Sequence, residues 1–149
     1  MDILIEEMNK GNIQDVMNIQ DSHIHEILSE DTILKDLSSP LSYYIYAKVD
    51  DKVVGFCGIN ILHDHADITG IAVQKELCNK GIGKTLIRNI MSKCKSLNLN
   101  EIFLEVRESN TVAQTFYESL NFEKINERKG YYDKGKEDAY IYVLKLKVD

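Results

Sequence analysis

Apolar positions recur along the chain with two different periods, which together predict a sheet covered by helices. Alternating or β-branched runs predict strands at residues 1–7, 42–49, 52–61, 66–74, 101–107, 122–129 and 138–148. Apolar residues three and four positions apart predict helices that begin after Asn12, Ser29, Gly81 and Asn110. The order is therefore β-α-α-β-β-β-α-β-α-β-β, an α/β fold with a mixed central sheet.

Capping and turn residues predict several of the element ends. Asn12 is expected to cap a first helix whose apolar stripe reaches Ile24, and Pro40 is expected to end the second helix. Asn121 is suited to the left-handed conformation that closes the fourth helix. Asp50-Asp51 is a natural tight turn between two of the strands.

The strands on either side of the helix after Gly81 are expected to be parallel, because a whole helix separates them. Such a crossover is right-handed. Ligands of sheets of this kind bind at the carboxyl ends of the strands. The sequence therefore places its candidate site where residues 66–74 and 101–107 end.

Size and composition fit one folded domain spanning residues 1–149. Of the 149 residues, 44% are hydrophobic and 28% are charged, as is usual for globular proteins, and no apolar run approaches the ~20 residues of a membrane helix. The start MDILIEEMNK lacks the features of a signal peptide, so a cytoplasmic location is expected. The formal net charge of −6 argues against nonspecific nucleic-acid binding and favours a cationic substrate.

Cysteines and histidines offer little support for a disulfide or a metal site. Cys57, Cys78 and Cys94 are an odd number without close spacing, which predicts reduced thiols, and we interpret Cys57 and Cys94 as packing residues. The segment His63-Asp64-His65 admits a metal site or a solvated hairpin turn. We favour the turn, because no further ligands are evident, and we predict no metal.

The turn Gly81-Ile82-Gly83 opens a helix directly after a predicted strand, and such a junction can bind a phosphate through unpaired backbone N–H groups. Gly83-Lys84-Thr85 resembles the end of a Walker A loop, but that motif needs a glycine at position 78, which is Cys. The dinucleotide-binding pattern fails as well, because its third glycine would fall at Leu86.

Residues 78–83, CNKGIG, resemble the acetyl-CoA signature Q/R-x-x-G-x-G/A of the GNAT N-acetyltransferases except at the first position. Further segments resemble the bacterial ribosomal-protein alanine N-acetyltransferases of that family: GIAV at 70–73, LEVRESN at 104–110, FYESLNF at 116–122 and KEDAYIYVLKL at 136–146. The element order obtained above is also the GNAT order. The resemblance implies a GNAT fold and acetyl transfer from acetyl-CoA.

The resemblance also implies which residues hold the cofactor. The backbone of one strand pairs with the pantetheine arm and orients the thioester carbonyl; its residues here are Ile71, Ala72 and Val73. Backbone N–H groups of the following loop cradle the pyrophosphate; they belong to Asn79, Lys80, Gly81, Ile82, Gly83 and Lys84. Asn110 matches a further cofactor contact. Cys78 replaces the usual Gln or Arg, and we expect a modest loss of affinity, because most pyrophosphate contacts come from the backbone.

Two catalytic roles follow from the same resemblance. Glu105 matches the general base and Tyr117 the general acid. An α-amino group with a pKa near 8 must lose a proton before it attacks a thioester, and the departing thiolate must gain one. The strand and helix patterns alone also allow Glu105 to pair with Arg107 on the same strand face and Tyr117 to be a core aromatic.

The implied acceptor is the N-terminal α-amine of a protein, namely a ribosomal protein with an N-terminal alanine. The peptide would lie between the early helices and the last hairpin, where Tyr131 and Tyr132 would line a groove. The family often has Pro-Trp where this chain has Ile27-Leu28. Other protein N-termini, a small-molecule amine, and a non-catalytic acyl-CoA-binding module stay open. Neither a nucleic acid nor a membrane is an expected partner.

Overall fold

A computed structural model of the chain describes residues 1–20 and 26–147, which form strands and helices in the predicted order. The strands are β1 (Leu4–Glu7), β2 (Ser42–Val49), β3 (Lys52–Leu62), β4 (His65–Val73), β5 (Glu101–Arg107), β6 (Glu123–Tyr132) and β7 (Glu137–Lys145). The α-helices are α1 (Ile13–Ile19), α2 (Glu30–Leu37), α3 (Ile82–Ser96) and α4 (Thr111–Glu118). In the described part of the chain, no helix is both long and apolar enough to cross a membrane.

All seven strands belong to one sheet in the order β1-β2-β3-β4-β5-β7-β6. The pair β4 and β5 is parallel, as the crossover through α3 requires, and the other neighbours are antiparallel. The predicted α/β fold with a mixed sheet is thus confirmed.

The two faces of the sheet carry two hydrophobic clusters. Residues of α3 and α4 pack on one face together with alternate residues of β5, including Leu104 and Val106. Residues of α1 and α2 pack on the other face against the rings of Tyr44, Tyr46 and Phe56. Because successive side chains of a strand point to opposite faces, β2, β3 and β4 each contribute to both clusters.

Most predicted ends agree with the structure, since the capping residues act locally. The side chain of Ser29 accepts a hydrogen bond from Thr32 N and begins α2, and α2 ends before Pro40. Asp50 and Asp51 have φ values of 50° and 64°, which form the turn between β2 and β3. Asn121, with φ of 71°, follows α4 in the left-handed conformation, as expected.

Two expectations about ends need correction. Asn12 stands at the N-cap of α1, but its side chain makes no cap bond to that helix; it accepts instead from Asn9 N at 3.0 Å, within a preceding 3-10 turn that Asn9 caps. Tyr131 and Tyr132 belong to β6, not to a loop, because bulges let that strand run on past Lys129. Ile24 and Val148 lie outside the described residues.

Candidate active site

The parallel strands β4 and β5 diverge, and this divergence positions the site. Their pairing covers only His65 to Asp67 on β4 and ends at the pair Asp67–Phe103. On its other side β4 stays paired with β3 as far as Val73, and β5 stays paired with β7 as far as Arg107. The carboxyl-terminal halves of the two strands therefore face a gap in the middle of the sheet, with backbone groups directed into it.

A cavity of about 710 Å³ lies at the end of β4, between the start of α3 and the exposed side of α4. Seven of the residues predicted to bind the cofactor or to mark its signature line it: Val73, Cys78, Asn79, Gly81, Ile82, Gly83 and Lys84. Residues of α4, among them Thr111, Val112 and Phe116, complete the wall. The strand-to-helix junction singled out from sequence thus opens onto a cavity.

The start of α3 is suited to an anion. Gly81 stands at the N-cap with φ of 86°, a conformation that glycine adopts without strain, and it provides no side-chain cap. The first turn contains no acidic residue and does contain Lys84. In α2, by contrast, Ser29 caps the helix and Glu30 and Asp31 occupy the first turn. The N–H groups that begin α3 are consequently available to a ligand, and the helix dipole favours a negative one.

Gly83 brings α3 and α4 close together beside this cavity. A Cβ atom at Gly83 would lie 3.1 Å from Phe116 Cζ, so a larger residue would displace the Phe116 ring. These features fit the acetyl-CoA that the GNAT family uses: unpaired N–H donors and a lysine for the pyrophosphate, and an unpaired strand edge for the amide groups of pantetheine.

The remaining predicted cofactor residues lie elsewhere around the junction. Ile71 and Ala72 are buried within β4, and their side chains belong to the two cores. Successive residues of a strand direct their N–H and C=O groups to opposite sides, so only one of the two can direct these groups into the gap. Lys80 is exposed and does not line the cavity as the described residues define it. The Asn110 side chain accepts from Ala113 N at 3.1 Å and caps α4, which leaves its NH2 group for any contact with the cofactor.

Cys78, the departure from the family signature, is exposed at the mouth of this cavity. Its sulfur lies 3.6 Å from Gln74 O and 3.8 Å from Val73 O, so the thiol is directed back to the end of β4. Cys57 and Cys94 are buried in the core, and burial raises the pKa of both thiols, that of Cys94 to about 11. They are packing residues, as predicted.

A second cavity, of about 760 Å³, lies on the face of the sheet that carries α2, and we call it the acceptor cavity. Its floor comes from β4 and β5, one wall from α2 and the loop before it, and the other wall from β6. The polar and aromatic residues on its lining include Glu26, Thr32, Asp36, Asp67, Thr69, Glu105, Arg128, Tyr131 and Tyr132. Tyr131 and Tyr132 therefore line a groove, as expected from sequence.

Glu105 lies on the floor of the acceptor cavity, two residues past the last β4–β5 pair. Its Oε1 atom is 3.5 Å from Nη1 of Arg128 on β6, and the two side chains are 29% and 54% exposed. Attraction between groups with this exposure is weak. The ion pair with Arg107 that the strand pattern allowed is not formed, because three other carboxylates bind Arg107.

Tyr117 lies in the core on the other face of the sheet, packed edge-on against Phe116 and Phe122. Its hydroxyl oxygen is buried without a hydrogen-bond partner among the described residues. Burial raises the pKa of Tyr117 well above its ordinary value, with a smaller contribution from Cys57, so the phenol stays protonated. As far as the described residues define the two cavities, Tyr117 lines neither, and Glu105 and Tyr117 lie on opposite faces of the sheet.

Arg107 joins both walls at one end of the acceptor cavity. Its guanidinium lies 2.8 Å from Glu26 before α2, 2.7 Å from Asp133 after β6 and 3.1 Å from Glu137 on β7. It also lies over the Tyr132 ring, 4.3 Å from the centroid. Hydrogen bonds to the carboxylates raise the pKa of Arg107, which stays charged.

Several residues of the acceptor cavity were not identified from sequence. Asp67 is half-buried beside the divergence, and burial raises its pKa. The signal that points to it is the side-chain alternation of β4 combined with the parallel register, which places Asp67 on the same face as Glu105. Asp36 and Arg128 gave no comparable signal, because each comes from an element whose position depends on tertiary packing.

The histidine segment forms a turn, as we favoured. His63 has φ of 60°, and His65 begins β4 with its ring edge-on to Phe103 at 5.1 Å. Within residues 1–20 and 26–147, no three His, Cys, Asp or Glu side chains gather in a way that would hold a metal ion.

Comparison with known proteins agrees with this geometry. The sequence profile of the Acetyltransferase (GNAT) family matches residues 12–122, well over half of the chain. A Bacillus subtilis (strain 168) protein, provisionally named a ribosomal protein bS18 alanine N-acetyltransferase, is 33% identical over 138 residues, or 92% of this chain and 91% of that protein. An N-alpha-acetyltransferase of Saccharolobus solfataricus is 39% identical over 119 residues, covering 71% of this chain and 70% of that protein.

Solved structures share the fold. The ribosomal-protein-S18-alanine N-acetyltransferase of Escherichia coli superposes with a TM-score of 0.88 at 24% identity, over 99% of this chain and 96% of that one. The PaiA N-acetyltransferase of Thermoplasma acidophilum, crystallised with coenzyme A, gives 0.82 at 19% identity, over 97% and 99%. The resemblance predicted from sequence is confirmed: the chain belongs to the GNAT family and is an acetyl-CoA-dependent N-acetyltransferase.

Proposed function

We propose that this enzyme acetylates the N-terminal α-amine of a protein, and that its substrate is a ribosomal protein with an N-terminal alanine. The relatives named for acetylation of protein N-termini, in a bacterium and an archaeon, support the choice of amine. The observation that carries the proposal is Glu105: a carboxylate on the floor of the acceptor cavity, next to the gap into which the backbone of β4 opens.

Acetyl-CoA supplies an acetyl group activated as a thioester. The end of β4 and the N–H groups of residues 79–84 would hold the pantetheine arm and the pyrophosphate, so that the thioester reaches the gap between β4 and β5. Binding two reactants in a fixed orientation accelerates their reaction strongly. In this proposal β4 provides that orientation. It lines the acceptor cavity at Ile68 and Thr69, and at Val73 it lines the cavity beside the start of α3.

Glu105 would act as the general base. An α-amine is largely protonated at neutral pH, and it becomes a nucleophile when Glu105, directly or through water, accepts its proton. The nitrogen then forms a bond to the acetyl carbon as the carbon–sulfur bond breaks. Arg128 lies close enough to orient the carboxylate without enclosing it.

Tyr117 would act as the general acid that protonates the sulfur of the leaving group. A phenol that burial keeps protonated has a proton to give at neutral pH. Its hydroxyl has no partner among the described residues, and an unpaired buried hydroxyl is costly unless a ligand or a reaction uses it. The unpaired hydroxyl supports the assignment; the raised pKa keeps the phenol protonated but also makes it a weaker acid.

The acceptor is tested with a panel read by mass spectrometry and by release of free thiol. The panel contains peptides with an N-terminal alanine, the same peptides with a blocked N-terminus but a free lysine, and polyamines. We expect one acetyl group on the free N-terminus and none on the blocked peptides. Acetylation of lysine side chains or polyamines without acetylation of a free N-terminus would contradict the proposal, and CoA binding without any acetyl transfer would favour a non-catalytic module.

A further inference from the structure

Four carboxylates line the acceptor cavity, and three of them have a basic side chain within 4.0 Å: Glu26 has Arg107, Asp67 has His65 and Glu105 has Arg128. Asp36 differs. Among the described residues its carboxylate forms no ion pair, and the one hydrogen bond to that carboxylate comes from the hydroxyl of Tyr44 at 2.5 Å. A carboxylate accepts up to about four hydrogen bonds, so most of the capacity of Asp36 is unused.

A buried tyrosine, Tyr44, positions the Asp36 carboxylate. Tyr44 is 1% exposed, stacks on Phe56 and also lies 3.1 Å from Thr69 Oγ1, so its hydroxyl links α2 to β4. Burial and the bond to Asp36 raise the pKa of Tyr44, which therefore stays a donor. A Cβ at Gly58 would come within 2.4 Å of the Tyr44 ring, so a glycine is required beneath it.

The link through Tyr44 ties Asp36 to β4, the strand expected to hold the thioester arm. The register of β3 and β4 shifts between Ile68 and Gly70, which leaves Thr69 without a partner residue on β3. The residues of β4 that follow Gly70 are those expected to hold the thioester arm. Asp36 is half-buried, where an opposite charge is attracted more strongly than in water. A peptide that places its N-terminus at Glu105 and extends along the cavity would pass this carboxylate.

We propose that Asp36 determines acceptor specificity by binding a lysine or arginine side chain a few residues after the acetylated N-terminus. This inference rests on the proposed function, since it takes the acceptor to be a peptide. An extended peptide advances about 3.3 Å per residue, so one position should match the fixed site better than its neighbours. Asp36 touches the acceptor but takes no part in the acetyl transfer.

The test uses peptides that begin with alanine and carry one lysine, glutamine or glutamate at position 2, 3, 4 or 5. The full-length enzyme, Asp36→Asn and a control, Asp31→Asn, are compared by kcat/KM. Asparagine still accepts from Tyr44, so the helix stays in place. Asp31→Asn changes the net charge of the protein by the same amount as Asp36→Asn. Asp31 lies in the first turn of the same helix but is not among the residues that line the cavity, so it controls for charge alone.

For the unaltered enzyme and Asp31→Asn, we expect lysine to be favoured over glutamate by about tenfold at one position, with most of the difference in KM. We expect Asp36→Asn to reduce this preference to about twofold or less, and added salt to weaken it in the enzymes that retain Asp36. An equal loss of kcat/KM for all peptides would mean that Asp36 binds the α-ammonium itself. An unchanged preference would mean that Asp36 binds no substrate charge. Either result overturns this inference but leaves the proposed function standing. Failure to acetylate any peptide overturns the proposed function as well.

Discussion

Arg107 and Tyr132 are stacked, with the guanidinium carbon 4.3 Å from the centre of the ring. The contact joins β5 to the end of β6, and the same guanidinium reaches Glu26 in the segment before α2. Arginine suits this place because its planar group can stack and donate several hydrogen bonds at once. One residue thus holds together two parts of the acceptor cavity that are distant in sequence.

We expect Arg107→Met to lower the melting temperature by on the order of 5 °C and to raise the KM of the peptide more than that of acetyl-CoA. The substitution leaves Glu26, Asp133 and Glu137 facing one another without a cation. Differential scanning fluorimetry and steady-state kinetics provide the readouts. Arg88→Met, at an exposed position of α3, is the control, and equal melting temperatures for the two variants would contradict the assigned role.

Tyr117→Phe is expected to separate stability from activity. Removal of a buried hydroxyl that lacks a partner should stabilise the protein by about 1 kcal/mol, whereas loss of the general acid should lower kcat by about 100-fold or more. Urea unfolding, calorimetric CoA binding and thiol release measure the three quantities. An unchanged kcat would remove Tyr117 from the acid role.

The matched control is Tyr142→Phe. The Tyr142 hydroxyl donates to Glu118 at 3.1 Å, so its loss should destabilise the protein slightly and leave kcat unaltered. A similar fall in kcat for both variants would point to a general effect of losing a core tyrosine hydroxyl.

Gly70→Ala tests how the loop before α2 shapes the acceptor cavity. A Cβ at Gly70 would lie 2.6 Å from Leu28 Cδ1, so Leu28 must move. The Leu28 backbone is held by the Gln20 side chain through bonds of 2.7 and 2.8 Å, which limits how far the residue can retreat. We expect a several-fold increase in the peptide KM and a loss of about 1–2 kcal/mol in stability.

The double variant Gly70→Ala with Leu28→Ala shows whether this collision is the cause. It should recover part of the stability lost in Gly70→Ala, because the added methyl group then occupies space vacated by leucine. Additive losses in the double variant would mean that the two residues do not interact.

Asp138 makes the stability of the last hairpin sensitive to acid. Its carboxylate accepts from Gly130 N at 2.9 Å and from Lys129 Nζ at 3.1 Å, and these bonds lower the pKa of Asp138 below the ordinary value of 3.8. A lowered pKa in the folded state contributes stability above the ordinary value, and that contribution disappears as the pH falls through the folded pKa.

We therefore expect Asp138→Asn to be less stable than the unaltered protein at pH 7 and to lose less stability on acidification below 3.8. The midpoints of urea unfolding, measured at several pH values from neutral to acidic, show how the stability of each protein depends on pH. Asp2→Asn, at an exposed position near the start of the chain, is the control. Parallel pH curves for Asp138→Asn and the unaltered protein would contradict the assignment.

The sequence predicts those parts of the fold that depend on neighbouring residues. β5 runs from Glu101 to Arg107, as its alternation indicates, and Ser29 begins α2 as its cap. Both signals act within a few residues. The glycine-containing start of α3 is likewise predicted from the sequence, because the geometry of a helix start is local.

Charge partners could not be predicted in this way. Glu105 and Arg107 are neighbours on one strand face, yet Arg128 and Glu26 are the groups that approach them. The position of Arg128 depends on bulges between β6 and β7, and that of Glu26 on how the segment before α2 packs. The position of α2 is likewise set by tertiary packing, which is why Asp36 was missed as a cavity residue. Asp67 could be identified only once the alternation of β4 was combined with its register against β5.

The divergence of β4 and β5 also bears on solubility. An unpaired strand at the rim of a sheet can pair with another molecule, and short or charged edge strands discourage such pairing. The edge strands here are β1, which has four residues, and β6, which carries the charged residues Lys124, Glu127 and Lys129. The open edge beyond Asp67 lies inside the sheet, between two of the protein's own strands and helices. In the proposed function, the thin and flexible pantetheine arm of the cofactor occupies this gap. The enzyme can therefore keep a stretch of hydrogen-bonding groups open for its cofactor without the aggregation that such a stretch would promote at the rim.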